Sequence, residues 1–523
     1  MKHLFMNIFS LMALSVAMAL FSACHDGDAD IEEWVPADYM PDESGRYGVR
    51  WNNADPSNLG ERCFNAAGKK AKIGVGDIPG FSDFDAVYPW SEIRRCNIIQ
   101  QGGEETIVFE GEPGFCLDGT NGDVFVRIPK FGYERYVEDG YEYRVISREG
   151  KPHPAFVEDG KVLDAVYVGA FEGYAKDDGL YSLGNVIPSS NITPQDFLNL
   201  AQKRGERYTL YDLRTVDMIF SLFAVEYGCR NSGVALGYGC SQYKQPVEAQ
   251  YEGHRMYYQR EKSDNTNCFV GMFSSHNRIS VGTNILICKG EQANILTFAK
   301  VTTIVEQKKK NQTLYYFDGP AVDLDTDCFI GSCAQSTNWC ETCSAPLAWH
   351  TGRADMHDEF TANQRNPMRY RWIENIVGNL WHYLPDVTFQ DGQMYACENM
   401  REYKMHCVEG AYKPVGPVLP LNDELGMQID KPGYNYWVTS LSCSGDALSL
   451  PFGEAFSSNI SSRQAFGAFH YLRPGRMIIA NGGGFDHEFR SNILTNRAWI
   501  YEGKAWYLYG SRLMYKQISV QKQ

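Results

Sequence analysis

The chain lacks a second long apolar run after its first two dozen residues. A membrane span needs about 20 consecutive apolar residues, so no internal span is expected. A basic patch is also missing. Lys and Arg number 49 against 64 Asp and Glu, for a net charge of −15. Such a chain repels phosphate, which excludes nucleic acid as the expected partner. The one lysine run, Lys308-Lys309-Lys310, is short and reads as a solvated turn. There is no tandem repeat and no long low-complexity tract. No Gly-x-Ser-x-Gly elbow, Gly-rich phosphate loop or His-Glu-x-x-His occurs, so the familiar marks of hydrolases, nucleotide enzymes and zinc proteases are missing. Ser440-Leu441-Ser442-Cys443-Ser444-Gly445 is polar but has no readable base partner. We therefore assign no catalytic residue, no resident metal and no cofactor.

What is present is a chain of 523 residues, long enough for two or three domains with real cores. Its 44% hydrophobic and 22% charged content is that of a globular protein. The 49 Gly, 32 Tyr and 10 Trp suggest a protein rich in strands and loops, with aromatic-bearing surfaces.

Residues 1–23 have a basic start, an apolar middle and a small-residue end before Cys24, the layout of a secretory signal. The Ser22-Ala23-Cys24 ending resembles a bacterial lipobox, with Phe21 where Leu is usual. That resemblance implies lipidation at Cys24 and attachment to a membrane through the lipid; a cleaved signal without acylation is the alternative. Residues 24–45 open with an acidic stretch, His25 to Glu33, which reads as a flexible tether. It resembles the surface-export signal of Bacteroidetes lipoproteins, implying an outer-membrane, surface-exposed protein; a plain linker is the alternative.

Without Cys24, 14 of the 15 cysteines remain. An even number in an exported chain permits disulfides, of undetermined connectivity. Cys333, Cys340, Cys343 and His350 have a spacing that zinc could use, although disulfides or free thiols fit as well. Asp323, Asp325 and Asp327 alternate as calcium ligands can, yet a solvated turn needs no further oxygens.

Residues 46–180 read as a β-rich module of short strands broken by Gly, Pro and Asp; Asp123 to Ile128 runs up to Pro129, a natural strand end. Val162 to Phe171 is a second apolar run, interrupted by Asp164. Helical signals start at Thr193, an N-cap before Pro194, with Asp196 completing a capping-box-like pair and Phe197, Leu200 and Ala201 on one face. Asp212 caps a second helix with Leu213, Val216, Phe220, Phe223 and Tyr227 on its stripe and Gly228 after it. Beyond Cys229, loops and short strands are expected. Ile373, Ile376, Val377, Leu380, Trp381 and Leu384 give a partial helical period, read as one or two helical turns leading into a strand.

Tyr370-Arg371-Trp372-Ile373-Glu374-Asn375-Ile376-Val377-Gly378-Asn379-Leu380-Trp381 resembles the signature of C-type-lectin-like domains of the formylglycine-generating-enzyme-like group, and of phage tail and retroelement-diversified variable proteins. Trp372 stands where that family usually has Gly. Gly482-Gly483-Gly484-Phe485 and Gly510-Ser511-Arg512-Leu513 resemble the same family's closing motifs. The upstream part resembles a module that precedes such domains in tail-tip and gut bacterial surface proteins, through Tyr47 to Trp51, Phe84 to Trp90, Arg94 to Asn97, Gly122 to Phe131, His153 to Phe156 and Tyr167 to Glu172. The resemblance implies an α+β protein: a β-rich N-terminal module at 46–180, then a C-type-lectin-like domain at 181–523 with two helices and short irregular strands. It further implies a surface adhesin whose partner is a host or bacterial surface protein or glycan. Pilus subunits are further partners by analogy. The oxidase members of the group carry a late cysteine pair, whereas no cysteine follows Cys443.

The stretch 481–509 is dense in aromatics, Asn and Arg bracketed by glycines, the mixture that gives contact area at low entropic cost. We assign ligand binding to Phe485, Asp486, His487, Phe489, Arg490, Asn492, Tyr501, Lys504, Trp506 and Leu508, with Trp499 and Tyr507 packed inward. In diversified relatives of the resembled group this segment is the variable one. The alternatives are an enzyme, whether a formylglycine-type oxidase or a hydrolase, and a structural tail-like component.

Overall fold

The first strand, Tyr47–Asn52, lies between Glu61–Phe64 and Tyr141–Ser147 in a four-stranded antiparallel sheet completed by Gly132–Glu138. The structure is a computed structural model that describes residues 45–73, 80–241, 257–273, 279, 281–282, 284–290, 294–332, 336–341, 367–419, 421, 436–441, 453–457, 464–470, 474–484, 491–500 and 504–518. The proposed signal, Cys24 and the tether lie outside the described residues. Residues 41–523 form one compact unit.

A second, six-stranded antiparallel sheet runs in the order Tyr208–Leu210, Leu513–Lys516, Ala165–Gly169, Asp123–Pro129, Arg94–Gln101, Glu104–Phe109. Its register pairs Val168 with Met514 and Val126. Strands from 46–180 and from 181–523 therefore share this sheet. The strand Asp123–Pro129 ends at the expected proline, and the run after Asp164 forms Ala165–Gly169.

Helix α1, Pro194–Gln202, starts as its cap residues dictate: Thr193 Oγ1 accepts the Asp196 N–H at 3.1 Å. Its buried face is Phe197, Leu198 and Ala201, so Leu198 takes the place expected of Leu200. Helix α2, Leu213–Tyr227, is capped by Asp212, whose Oδ1 accepts the Thr215 N–H at 2.8 Å, and stops at Gly228 in the left-handed region (φ 61°). It is buried almost all round rather than along one stripe, because the four-stranded sheet covers one side and residues 370–389 another. A short helix α3, Ser232–Leu236, follows with Asn231 as its cap. One core runs through Val49, Trp51, Val126, Phe220, Ile376, Leu494 and Met514.

Residues 257–332 build another six-stranded antiparallel sheet, ordered Tyr257–Tyr258, Cys328–Ser332, Asn284–Lys289, Asn294–Gln307, Gln312–Phe317, Cys268–Met272. The Arg260 N–H donates to the Val270 carbonyl at 2.9 Å, drawing its two edge strands together around Ile285, Ile287, Val301, Tyr315 and Ile330. Lys308–Lys310 form the exposed turn at the tip of its longest hairpin. Asp323 accepts from the Asn265 N–H and Asp325 pairs with Lys289, so these carboxylates serve separate partners. The largest sheet, nine strands, is centred on Trp381–Gln390, Arg476–Asn481 and Asn496–Ile500.

The fold is thus β-rich, with many antiparallel sheets and three α-helices among the described residues, and not the α+β arrangement of two helices and short irregular strands expected from sequence. The strand Asn294–Gln307 alone has 14 residues. The helical turns expected after Arg371 are also replaced. Arg369–Tyr370 and Ile373–Glu374 form a small hairpin, with Arg371 (φ 46°) and Trp372 (φ 71°) at its turn. Two successive positive φ values are what a tight hairpin turn needs and what a right-handed helix cannot hold. The apolar period arose because the whole segment is buried, not because it is helical.

Candidate ligand-binding surface and its supporting frame

The segment assigned to binding springs from two neighbouring strands. Asn481 closes Arg476–Asn481 and pairs with Asn496, which opens Asn496–Ile500. Asn481 Nδ2 donates to the carbonyls of Ile493 (2.8 Å) and Thr495 (3.1 Å) and to Asn496 Oδ1 (3.1 Å). Gly482 follows with φ 94°, and a Cβ there would stand 2.8 Å from the Ile376 carbonyl, so only glycine fits this close approach. On the other side, Asn492 Oδ1 accepts from the Gly233 N–H at 2.7 Å and the Ser232 hydroxyl at 3.1 Å, tying the loop to the start of α3.

This geometry sorts the assigned residues. Asn492 is fully buried and is a clamp rather than a contact residue, which corrects its assignment; its side-chain oxygen is taken up by α3, while its Nδ2 has no hydrogen-bond partner. Leu508 is corrected likewise: at 4% exposure it packs in the core, and its carbonyl accepts the Trp381 N–H at 3.0 Å. Lys504 is exposed, while Trp506 and Tyr507 are half-buried. The Trp506 ring stands 6.1 Å from Tyr509, which stacks on Tyr383 at 5.3 Å. Phe485, Asp486, His487, Phe489, Arg490 and Tyr501 lie outside the described residues, as does the side chain of Trp499.

Next to Gly482, residues that carried the family resemblance converge on one carboxylate. Glu172 accepts from Asn375 Nδ2 (3.1 Å), Asn379 Nδ2, the Leu380 N–H (3.2 Å) and His382 Nε2 (3.2 Å). Arg512 is fully buried and donates to the carbonyls of Gly169 (2.8 Å), Glu374 (2.6 Å) and Asn375 (3.0 Å). The Gly378 N–H reaches the Gly482 carbonyl at 3.2 Å. A second buried carboxylate, Glu226 at the end of α2, takes Ser82 (2.7 Å), Tyr370 (2.9 Å) and the Arg371 guanidinium, whose other arm meets Asp85 at 2.8 Å. Trp372 lies with Arg95 over its ring, 4.1 Å from the centroid.

Charged groups this deep persist only when paired and hydrogen-bonded. Glu374 is an exception. Burial pushes its carboxyl up to about 7, with the Cys340 N–H (3.0 Å) and thiol as its counterweights, and its Oε1 has no partner. The two buried carboxylate–histidine pairs do not amount to a nucleophile system. His153 Nδ1 accepts the Ala155 N–H (3.1 Å), so Nε2 carries the proton given to Asp217 (3.2 Å), and neither nitrogen is left as a base. His382 gives Nε2 to Glu172, but no hydroxyl or thiol of the described residues bonds its Nδ1. No family model matches the chain, and no curated protein matches it either.

Of the proposed zinc set, Cys340 is buried against Glu374, while Cys333, Cys343 and His350 lie outside the described residues. Cys63, Cys96, Cys116, Cys229, Cys268, Cys328, Cys397 and Cys407 carry free thiols. Burial pushes Cys96 up to about 12 and Cys229 to about 11, which makes them poor nucleophiles. No helix among the described residues is long and apolar enough to cross a membrane.

Sequence reasoning missed Glu172, Glu374 and Arg512 as the centre of the frame, although each sits inside a motif singled out for resemblance. Carboxylate and guanidinium groups set in Gly- and Asn-rich stretches were the available signal.

Proposed function

We propose that this protein is a surface adhesin, held to the outer membrane by lipid on Cys24, that binds a protein or glycan through the surface carried by residues 485–506. The observation that supports this reading is the clamped base of the loop. Asn481 and Asn492 fix its two ends to the nine-stranded sheet and to α3, and Gly378, within the motif that feeds the Glu172–Arg512 frame, holds the Gly482 carbonyl. Anchored ends lower the entropic cost of presenting what lies between them, which is what recognition requires. Exposed Lys504 and half-exposed Trp506 stand at its edge. The buried ionic groups of the frame serve one another, and that argues for a scaffold over an enzyme. Replacing Phe489, Arg490 and Trp506 together with alanine should abolish binding in a glycan and cell-surface-protein screen while the protein stays folded, with a melting temperature lowered only by the lost packing of the Trp506 ring. Unaltered binding would move the site elsewhere on the molecule.

A further inference from the structure

Away from that loop, the strand Leu513–Lys516 carries a lysine into the interior. Lys516 Nζ stands 3.0 Å from Glu158 Oε2 and 3.2 Å from Asp212 Oδ2. All three side chains are almost wholly buried. Asp212 and Lys516 lie 304 positions apart, and only the fold brings them into contact. An ammonium and two carboxylates taken out of water carry a desolvation cost that their mutual attraction offsets only in part.

The two carboxylates are held differently. Asp212 caps α2, and its Oδ1 accepts the Thr215 N–H at 2.8 Å. Its Oδ2 accepts the Tyr403 hydroxyl at 3.0 Å as well as the lysine. The carboxyl group is therefore gripped at both oxygens, and Oδ1 sits where the aligned peptides of a 15-residue helix favour negative charge. Glu158 has one oxygen on the Met400 N–H and the other on Lys516 Nζ. These are the parts of an acyl-transfer site. There is an amine, a carboxyl with an N–H donor on the oxygen that gathers charge, and a second carboxylate touching the amine as a base.

We propose that Lys516 and Asp212 condense to an intramolecular amide, with Glu158 as the proton carrier. Glu158 takes one proton from the ammonium and passes it to Asp212 Oδ2, which leaves a neutral amine beside a neutral carboxyl. The nitrogen lone pair then bonds to Asp212 Cγ, and the charge that develops on Oδ1 faces the Thr215 N–H. The second nitrogen proton follows through Glu158 to Oδ2, the Cγ–Oδ2 bond breaks, and Oδ2 departs as water. One ammonium and one carboxylate thus become one amide and one water, with no change of oxidation state. Two effects favour the step. Groups held in contact react as though at roughly 10⁵–10⁸ M, and two buried charges disappear. The product fixes the strand that joins Tyr208–Leu210 to Ala165–Gly169 by a covalent bond to the cap of α2. This chemistry is independent of the role given to the C-terminal surface.

The test is mass spectrometry on the full chain, folded and held at neutral pH, both intact and after digestion with trypsin. The parent should be one water lighter than its sequence requires. Its digest should contain a branched peptide that joins Asp212 to Lys516 and is uncut at Lys516. Lys516→Arg should restore the full mass and release the two segments as separate linear peptides. Glu158→Gln keeps both reactants and should slow the appearance of the branched peptide by about a hundredfold or more, the scale of a lost general base. A parent of full mass, with Asp212 and Lys516 in separate linear peptides, would overturn the proposal whether or not the variants fold. A branch to Glu158 in place of Asp212 would overturn the choice of acceptor, and formation at the parent's rate in Glu158→Gln would overturn the choice of base. Loss of binding through the C-terminal surface would leave these readings unchanged.

Discussion

The Glu374→Gln substitution is the sharpest test of the buried frame. Glu374 is 2% exposed, and its carboxyl is raised to about 7 from an ordinary 4.5. Burial is the main cause, and the neighbouring Glu172 adds to it; the Cys340 N–H and thiol and the Arg369 charge oppose it. A raised folded value means the fold favours the protonated carboxyl. Its contribution to stability is full below about pH 4.5, falls as pH rises through 7, and is flat beyond. A difference of roughly 2.5 pH units corresponds to about 3 kcal/mol, at about 1.4 kcal/mol per unit. Glutamine keeps an oxygen for the Cys340 N–H and cannot ionise. Urea unfolding of both proteins between pH 4.5 and 8 gives the measurement. The variant should gain on the parent by about 3 kcal/mol across pH 4.5–7, with no further gain above. Asp386, also raised to about 7 by burial beside Asp212, titrates in both proteins and cancels from the difference. Parallel curves would show that Glu374 ionises freely in the folded state and would refute the reasoning.

Two further substitutions separate frame from surface. Asn492→Ala strands the buried Gly233 N–H and should cost about 1–3 kcal/mol by denaturant unfolding; an unaltered midpoint would return Asn492 to the contact surface. Trp372→Gly relieves a left-handed backbone worth about 1 kcal/mol but gives up the Arg95 and Arg369 contacts and the indole's packing against the core, which together outweigh it. Its melting temperature should fall, and a value equal to the parent's or above it would show that backbone strain dominates at this turn.

Local chemistry was legible where it acts on its own neighbours. Thr193 and Asp212 marked two helix starts, Gly228 a helix end and Pro129 a strand end, because caps and breakers act over three or four residues. Burial was not legible in the same way. The apolar spacing of 373–384 mimicked a helix, since a segment enclosed on every side is apolar whatever its backbone does. The stretch 257–332 reads as loops and short strands, and not as a continuous sheet, because its outward faces are polar and Gly, Asn and Asp punctuate it. Asn492 and Leu508 were assigned outward by composition, yet an Asn in a tight turn is as valuable for capping a buried N–H as for gripping a ligand. Glu172 could not be paired with Asn375, Asn379 and His382 from sequence, because some 200 positions separate them and only the folded sheets bring them together.

The strand Leu513–Lys516 lies between Tyr208–Leu210 and Ala165–Gly169. Without it, Tyr208–Leu210 would have no neighbour in that sheet, while Ala165–Gly169 would keep Asp123–Pro129 on its other side. Only a strand from far along the chain therefore joins Tyr208–Leu210 to the strands of 94–169. A truncation just ahead of Leu513 would leave four of the six strands paired and cast the edge strand loose.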